Sequence, residues 1–342
     1  MKKIGIFGTT GYAGLQLINL LNRHQSIEIK FAASNRYANE KLSSIYNQFK
    51  GELDLTLVST EKALETIHAV DLVFLALPHT ISMNIANRII SINKKVKIID
   101  LSGDFRFNDY QTYEEYYDAK HILKDYLKKF TYGLPELYRQ QIIKSQYVAN
   151  PGCYPTSAIL PLYPLIKEKV ISSKNIIIDS KSGLSGTGRN ENINFLFTES
   201  VNNVYAYKTG THRHQPEIKD HLFNANILFS PHIVPSVRGI FSTIYCELEK
   251  ETSSKTIDEV FNTYYKREPF IRLCNEIPKV NQVQRTNYCD IGYTLDVKNQ
   301  RLIIYSCIDN LMKGAASQSI QNMNLMLGFD EKESIDNNLF YL

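Results

Sequence analysis

The chain has 342 residues, 43% hydrophobic and 22% charged, which is ordinary globular composition and enough for two domains with their own cores. Its net charge of +4 is spread along the chain with no Lys/Arg block, which argues against a nucleic-acid stripe, and its apolar runs are too short to cross a bilayer. Five cysteines without a CxxC spacing suggest neither a disulfide framework nor a zinc knuckle, and a reducing cytoplasm is the expected setting.

The first third alternates short apolar strands with helices. KKIGIFG reads as a strand, and Tyr12–Arg23 as a helix with apolar positions 15, 17, 18, 20 and 21. IEIKFAAS and AVDLVFLALP follow as strands, the latter ended by Pro78; then come a helix over Thr80–Ile92 and the strand KVKIIDLS. Such alternation predicts a parallel, doubly wound Rossmann-type sheet over residues 1–150. After residue 150 the helix PTSAILPLYPLIKEK, complicated by Pro161 and Pro164, precedes the strands NIIIDSKSG, GIFSTIYCELE and RLIIYSCID, with a helix inside ETSSKTIDEVFNTYYKRE. That richer succession of strands predicts an α+β domain over 151–311. The last helix, GAASQSIQNMNLMLG, has Ala315, Ile320, Met323, Leu325 and Met326 as its expected apolar face, and segment 312–342 is expected to pack back on the first domain.

Gly8, Gly11 and Gly14 form GxxGxxG between the first strand and first helix, where a backbone can approach a pyrophosphate and a helix N-terminus offers free N–H groups. The second strand ends in Ser34-Asn35-Arg36, with no acid for a ribose 2′-OH; a hydroxyl and a guanidinium suit a 2′-phosphate and favour NADP. Cys153, in ANPGCYPT, follows a turn signal and opens a helix, where the dipole favours thiolate. It is either a nucleophile or a small apolar filler. Cys246 and Cys307 read as core filler. A cysteine nucleophile needs a proton-transfer partner, and His212-Arg213-His214 supplies candidates; if extended, that segment puts both histidines on one side. An HxH metal site lacks a third ligand at useful spacing, so no metal is expected. His24, His68, His121 and His221 look like surface residues. A nucleotide cofactor beside a thiolate points to acyl chemistry through a thioester, with an acyl phosphate as substrate class.

GTTGYAG, ALPH at 76–79, DLSGDFR at 100–106, YGLPEL at 132–137, ANPGCYPT at 149–156, SGLSGTGR at 182–189, HRHQPEI at 212–218, VPSVRGI at 234–240 and DNLMKGAASQSIQNMN at 309–324 occur in one order. Together they resemble the N-acyl-γ-glutamyl-phosphate reductases, relatives of the aspartate-semialdehyde dehydrogenases, over nearly the whole chain. The resemblance implies a nucleophilic Cys153, with His214 as acid–base and His212 as supporting or alternative group. It implies NADP(H) held by Gly8, Thr10, Gly11, Tyr12, Ala13, Gly14, Ser34, Arg36 and Pro78, with Ser185, Gly186 and Asn310 beside the nicotinamide half. It implies a substrate site drawn from Arg106, Asn150, Arg189, Arg213, Glu217 and Arg238. Of these, Arg106 is the candidate for the phosphate, or else pairs with Asp104, and the other three arginines are candidates for the α-carboxylate. Glu217 either orients a histidine or caps a helix. The expected activity is NADPH-dependent reduction of N-acetyl-L-glutamyl 5-phosphate to the semialdehyde in arginine biosynthesis, with N-succinyl or another acyl group as the alternative and a catalytically silent NADP-binding regulator behind both. A small-molecule substrate and a homo-oligomer, dimer or tetramer, are the expected partners, with no nucleic acid or membrane. Thr80, where this family has glycine, and Ser157, Ser317 and Ser319 depart from the pattern.

Overall fold

A computed structural model describes residues 1–189 and 193–336. In chain order the elements are β1 (Lys2–Phe7), α1 (Tyr12–Leu21), β2 (Ile27–Ala33), α2 (Leu42–Ile45), α3 (Thr60–Glu65), β3 (Leu72–Leu75), α4 (Ile81–Ile92), β4 (Lys97–Asp100), α5 (Tyr110–Tyr117), β5 (Phe130–Tyr132), α6 (Pro135–Lys144) and β6 (Tyr147–Ala149). There follow α7 (Cys153–Lys167), β7 (Ile176–Gly183), α8 (Phe197–Ser200), β8 (Tyr205–Ala206), α9 (His214–His221), β9 (Ile227–Val234), β10 (Ile240–Glu247), α10 (Ser254–Tyr265), β11 (Ile271–Leu273), β12 (Cys289–Asp296), β13 (Arg301–Ile308) and α11 (Ala316–Leu327). They sort into two compact units, Met1–Pro151 with Ala316–Asp336, and Gly152–Ala315.

The first unit holds a six-stranded sheet, β2-β1-β3-β4-β6-β5, in which every pairing is parallel. Strands buried on both faces read as continuous apolar runs, and Leu72–Leu75 is buried at each position. The chain leaves β1 for β2 on one side and returns to place β3 on the other, so the order reverses between β1 and β3. In open α/β sheets that reversal opens a crevice at the carboxyl ends of the strands. The loops after β1 and β3, residues 8–11 and 76–80, flank it.

Helix α11 packs on α1 and α6 in this unit. It is buried nearly all round rather than on one stripe: Ser317, Gln318, Ser319, Gln321, Asn322 and Asn324 are buried along with Ile320, Met323 and Met326, whereas Ala315 and Leu325 are only half-buried. The amide nitrogens of Gln318, Asn322 and Asn324 find neighbouring backbone carbonyls. Gln318 Nε2 and Asn322 Nδ2 both donate to Gly133 O (3.1 and 2.9 Å), and Asn324 Nδ2 donates to Glu331 O and Glu333 O. His24 and His121 are buried, not on the surface, because each finds a polar partner inside: His24 Nε2 meets Asn324 Oδ1 at 3.0 Å, and His121 Nε2 donates to Asp104 O at 2.8 Å. Residues 337–342 of the segment expected to pack back lie outside the described residues.

The second unit holds a seven-stranded mixed sheet, β11-β12-β13-β10-β7-β9-β8. Helix α7 packs on β10 and β13, and α9 on β9. Helix α7 stays continuous through Pro161 and Pro164. Pro164 has no N–H for Leu160 O, and the Tyr265 hydroxyl donates there instead, at 2.5 Å. The departure Ser157 bonds Tyr154 O and joins Ser242 and Ser180 through hydroxyl contacts of 2.8 and 2.7 Å, so it fastens α7 to the sheet.

Candidate active site

In the first unit the glycine loop is shaped by close backbone approach. Gly8 has φ +82°, and a Cβ there would lie 2.2 Å from Ala76 O; a Cβ on Gly14 would lie 2.3 Å from Gly8 O. Gly11 ends the turn as the N-cap of α1, and no side chain caps it, so the first N–H groups of the helix face outward. Thr10, Gly11, Tyr12 and Ala13 form a partly exposed rim. Thr10 Oγ1 lies 3.2 Å from Ser34 Oγ, which ties the loop to the end of β2; Arg36 is exposed with its guanidinium over the Tyr37 ring. Pro78 is exposed after β3. This cradle fits a dinucleotide: it is free of side chains where a pyrophosphate needs backbone and has no carboxylate beside Ser34.

The loop after β3 runs into α4 through Thr80, whose φ of +67° suits glycine and strains a β-branched residue. Asp104 holds the strained turn, accepting from Thr80 N (2.9 Å) and Met83 N (2.8 Å), while its other oxygen accepts from the Tyr113 hydroxyl (2.7 Å). Asp100 lies close by, and burial followed by the Asp104 charge pushes its carboxyl pKa up. Arg106 is buried. Its Nε donates to Asn150 O (2.8 Å) and its Nη2 to Leu101 O (2.7 Å), so these two donors tie backbone together. Asn150 is also buried, with its Oδ1 accepting from Asn322 Nδ2 at 3.2 Å.

In the second unit Cys153 is the first residue of α7 and half-buried. The backbone of Gly314 passes so close that a Cβ there would lie 2.8 Å from Cys153 Cβ. The HRH segment is not extended. His214 opens helix α9, and the two imidazoles meet edge-on with centroids 4.8 Å apart because the chain turns between them. His212 Nδ1 accepts from His214 N at 3.1 Å, which fixes the His212 ring with Nδ1 unprotonated. Burial, then the charges of Arg213 and Lys208, push the His212 pKa down to about 3. Tyr154 lies edge-on to both rings, and Tyr207 and Phe229 pack against that of His212. The Tyr207 hydroxyl donates to Tyr154 Oη (3.3 Å); burial raises its pKa to about 12, and a negative charge at Cys153 adds to that rise.

Glu217, fully buried on α9, accepts from Gly152 N at 2.8 Å. Arg238 pairs with Asp309, Nε to Oδ2 at 2.8 Å, and so braces the loop before β10. Arg189 and Arg213 are exposed. Asn310 Nδ2 donates to Ser185 Oγ (2.9 Å) and its Oδ1 accepts from Gly239 N (2.6 Å), which pins half-buried Ser185 and exposed Gly186 in place. Sequence reasoning missed the Tyr154–Tyr207 shell. Its signal was a tyrosine directly after the cysteine and another five residues before His212.

Residues 3–145 match the family model "Semialdehyde dehydrogenase, NAD binding domain", and residues 153–310 match "Semialdehyde dehydrogenase, dimerisation domain". The N-acetyl-gamma-glutamyl-phosphate reductase of Alkaliphilus metalliredigens is 45% identical over 338 residues, 97% of each chain, and that of Clostridium novyi is 42% identical over 341 residues, 98% of each. The crystal structure of aspartate semialdehyde dehydrogenase II from Vibrio cholerae shares the fold, with a TM-score of 0.74 at 15% identity over 96% of this chain and 99% of that one. With relatives this similar along its whole length, the chain belongs to the N-acetyl-γ-glutamyl-phosphate reductase family.

Proposed function

We propose that the protein reduces N-acetyl-L-glutamyl 5-phosphate with NADPH to N-acetyl-L-glutamate 5-semialdehyde and phosphate, a step of arginine biosynthesis, through a thioester on Cys153. The observation that carries the reading is the half-buried thiol at the first position of α7, in the same unit as a histidine that opens α9. Cys153 Sγ attacks the acyl carbon and phosphate leaves, since the helix N-terminus favours the attacking anion. NADPH, when bound, supplies the hydride that brings the acyl carbon to the aldehyde level. His214 delivers a proton to the carbonyl oxygen and takes it back as the carbon–sulfur bond breaks and thiolate returns. His212, neutral with Nδ1 committed to His214 N, orients that residue rather than exchanging protons.

Gly8, Thr10, Gly11, Tyr12, Ala13, Gly14 and Pro78 would hold the dinucleotide, with Ser34 and Arg36 on the 2′-phosphate. Ser185, Gly186 and Asn310 would serve the nicotinamide half. Exposed Arg189 and Arg213 are candidates for the substrate carboxylate, while Arg106 donates to backbone and Arg238 pairs with Asp309. N-acetyl is the acyl group named for the relatives. All five cysteines are free, which accords with a cytoplasmic setting.

A second copy of the chain covers the open face of the seven-stranded sheet, giving a dimer or tetramer. Ile177, Leu228 and Tyr245, 42%, 48% and 39% exposed, are register neighbours there, and an apolar row across three strands calls for a cover. The function is tested by steady-state assay of the reverse reaction. The expected result is oxidation of N-acetylglutamate semialdehyde that needs both NADP and phosphate and vanishes in Cys153→Ala. Undiminished activity in that variant would exclude the covalent route.

A further inference from the structure

The turn before the nucleophile is not self-supporting. Gly152 is the N-cap of α7, and the third helical position, whose Glu or Gln side chain can reach back to an N-cap N–H, is Pro155, so an acceptor from elsewhere serves the Gly152 N–H. That acceptor is Glu217 Oε1, at 2.8 Å, from the first turn of α9, the same helix that His214 opens. The carboxyl is fully buried, which removes it from any role at the surface of a substrate pocket. Its charge also cannot be there to acidify the thiol: a negative group at a helix N-terminus works against the dipole that favours thiolate. What the contact does supply is geometry. One hydrogen bond links the residue immediately before Cys153 to the residue three positions after His214.

We propose that Glu217 is the positioning residue of the nucleophile: by accepting the Gly152 N–H it sets the turn that presents Cys153 and fixes that turn to the helix carrying His214. The proposal rests on Cys153 being the acylated residue, and it assigns the work to the reach of the acceptor rather than to its charge. Nucleophile and acid–base group thus keep their mutual placement through a strut that neither of them makes. Misplacements of about 1 Å can cost on the order of 100-fold in rate, so a shortened strut should register strongly.

Two variants separate reach from charge. Glu217→Gln keeps the oxygen at the same distance and removes the charge; Glu217→Asp keeps the charge and withdraws the oxygen by one methylene. The readouts are the rate of Cys153 alkylation by iodoacetamide in the intact protein, kcat and KM in the semialdehyde assay, Tm, and NADPH binding by fluorescence. The expected result is that Glu217→Gln stays within about fivefold of wild type in alkylation and kcat, while Glu217→Asp loses about 100-fold in kcat and alkylates Cys153 markedly more slowly, with NADPH binding retained in both. Glu217→Asp reacting like wild type, or Glu217→Gln losing as much as Glu217→Asp while folded, would overturn the proposal. Alkylation needs no turnover, so these outcomes are independent of whether Cys153→Ala is active. Failure of the thioester reading would appear in that variant instead.

Discussion

His212 and His214 are two residues apart and chemically unlike. The first is walled in by Tyr154, Tyr207 and Phe229, has Nδ1 committed to a backbone N–H, and has its pKa pushed down to about 3. Because this folded-state pKa lies below the ordinary value of 6.5, the unfolded chain binds the extra proton first as pH falls. The His212 contribution to stability is therefore complete above pH 6.5 and drains away between pH 6.5 and about 3, by roughly 5 kcal/mol at full protonation. His212→Phe should flatten the fall of Tm with acid across that window, measured by thermal denaturation from pH 7 to 4; an unchanged acid limb would contradict the assignment. His214→Asn should lower kcat by about 100-fold or more, as expected for loss of a general acid. The sequence brought the two histidines forward together but could not separate them, because the packing of Phe229 against the His212 ring and the commitment of its Nδ1 to His214 N arise only in the fold.

Helix α4 begins under strain. Thr80 sits at φ +67° and is held there by Asp104 accepting from Thr80 N and Met83 N. Replacing it with glycine keeps both backbone donors and removes the Cβ penalty, so Thr80→Gly should stabilise the protein by about 1 kcal/mol in urea denaturation. A destabilised variant would mean that the threonine side chain makes a contact worth more than the strain. Helices α1, α4 and α7 were legible in the sequence because their apolar positions recur at helical spacing beside clear turn signals. Helix α9 was not, since five of the eight residues of HQPEIKDH are charged or imidazole and its first turn is buried by polar contacts rather than by an apolar stripe. Helix α11 carried its apolar face plainly, but its buried amides look exposed until Gly133 and the backbone around Glu331 come to meet them.

At the scale of the molecule, the family model over residues 153–310 is that of a dimerisation domain, and the open sheet face supplies the apolar row such an interface needs. Leu228→Asp, a charge placed in the middle of that row, should shift the mass seen by light scattering to that of one chain without lowering NADPH binding; an unchanged mass would move the interface elsewhere. Parallel order in the first sheet and the site motifs were readable early, because glycine spacing and the Cys and His motifs are local. The contact from Glu217 to Gly152 spans 65 residues and leaves no spacing to read. The most direct test of the covalent account is mass spectrometry of the protein mixed with the acyl phosphate in the absence of NADPH. The account predicts one acyl adduct on the peptide carrying Cys153, discharged when NADPH is added. No adduct, or one on Cys274 or a histidine, would contradict it.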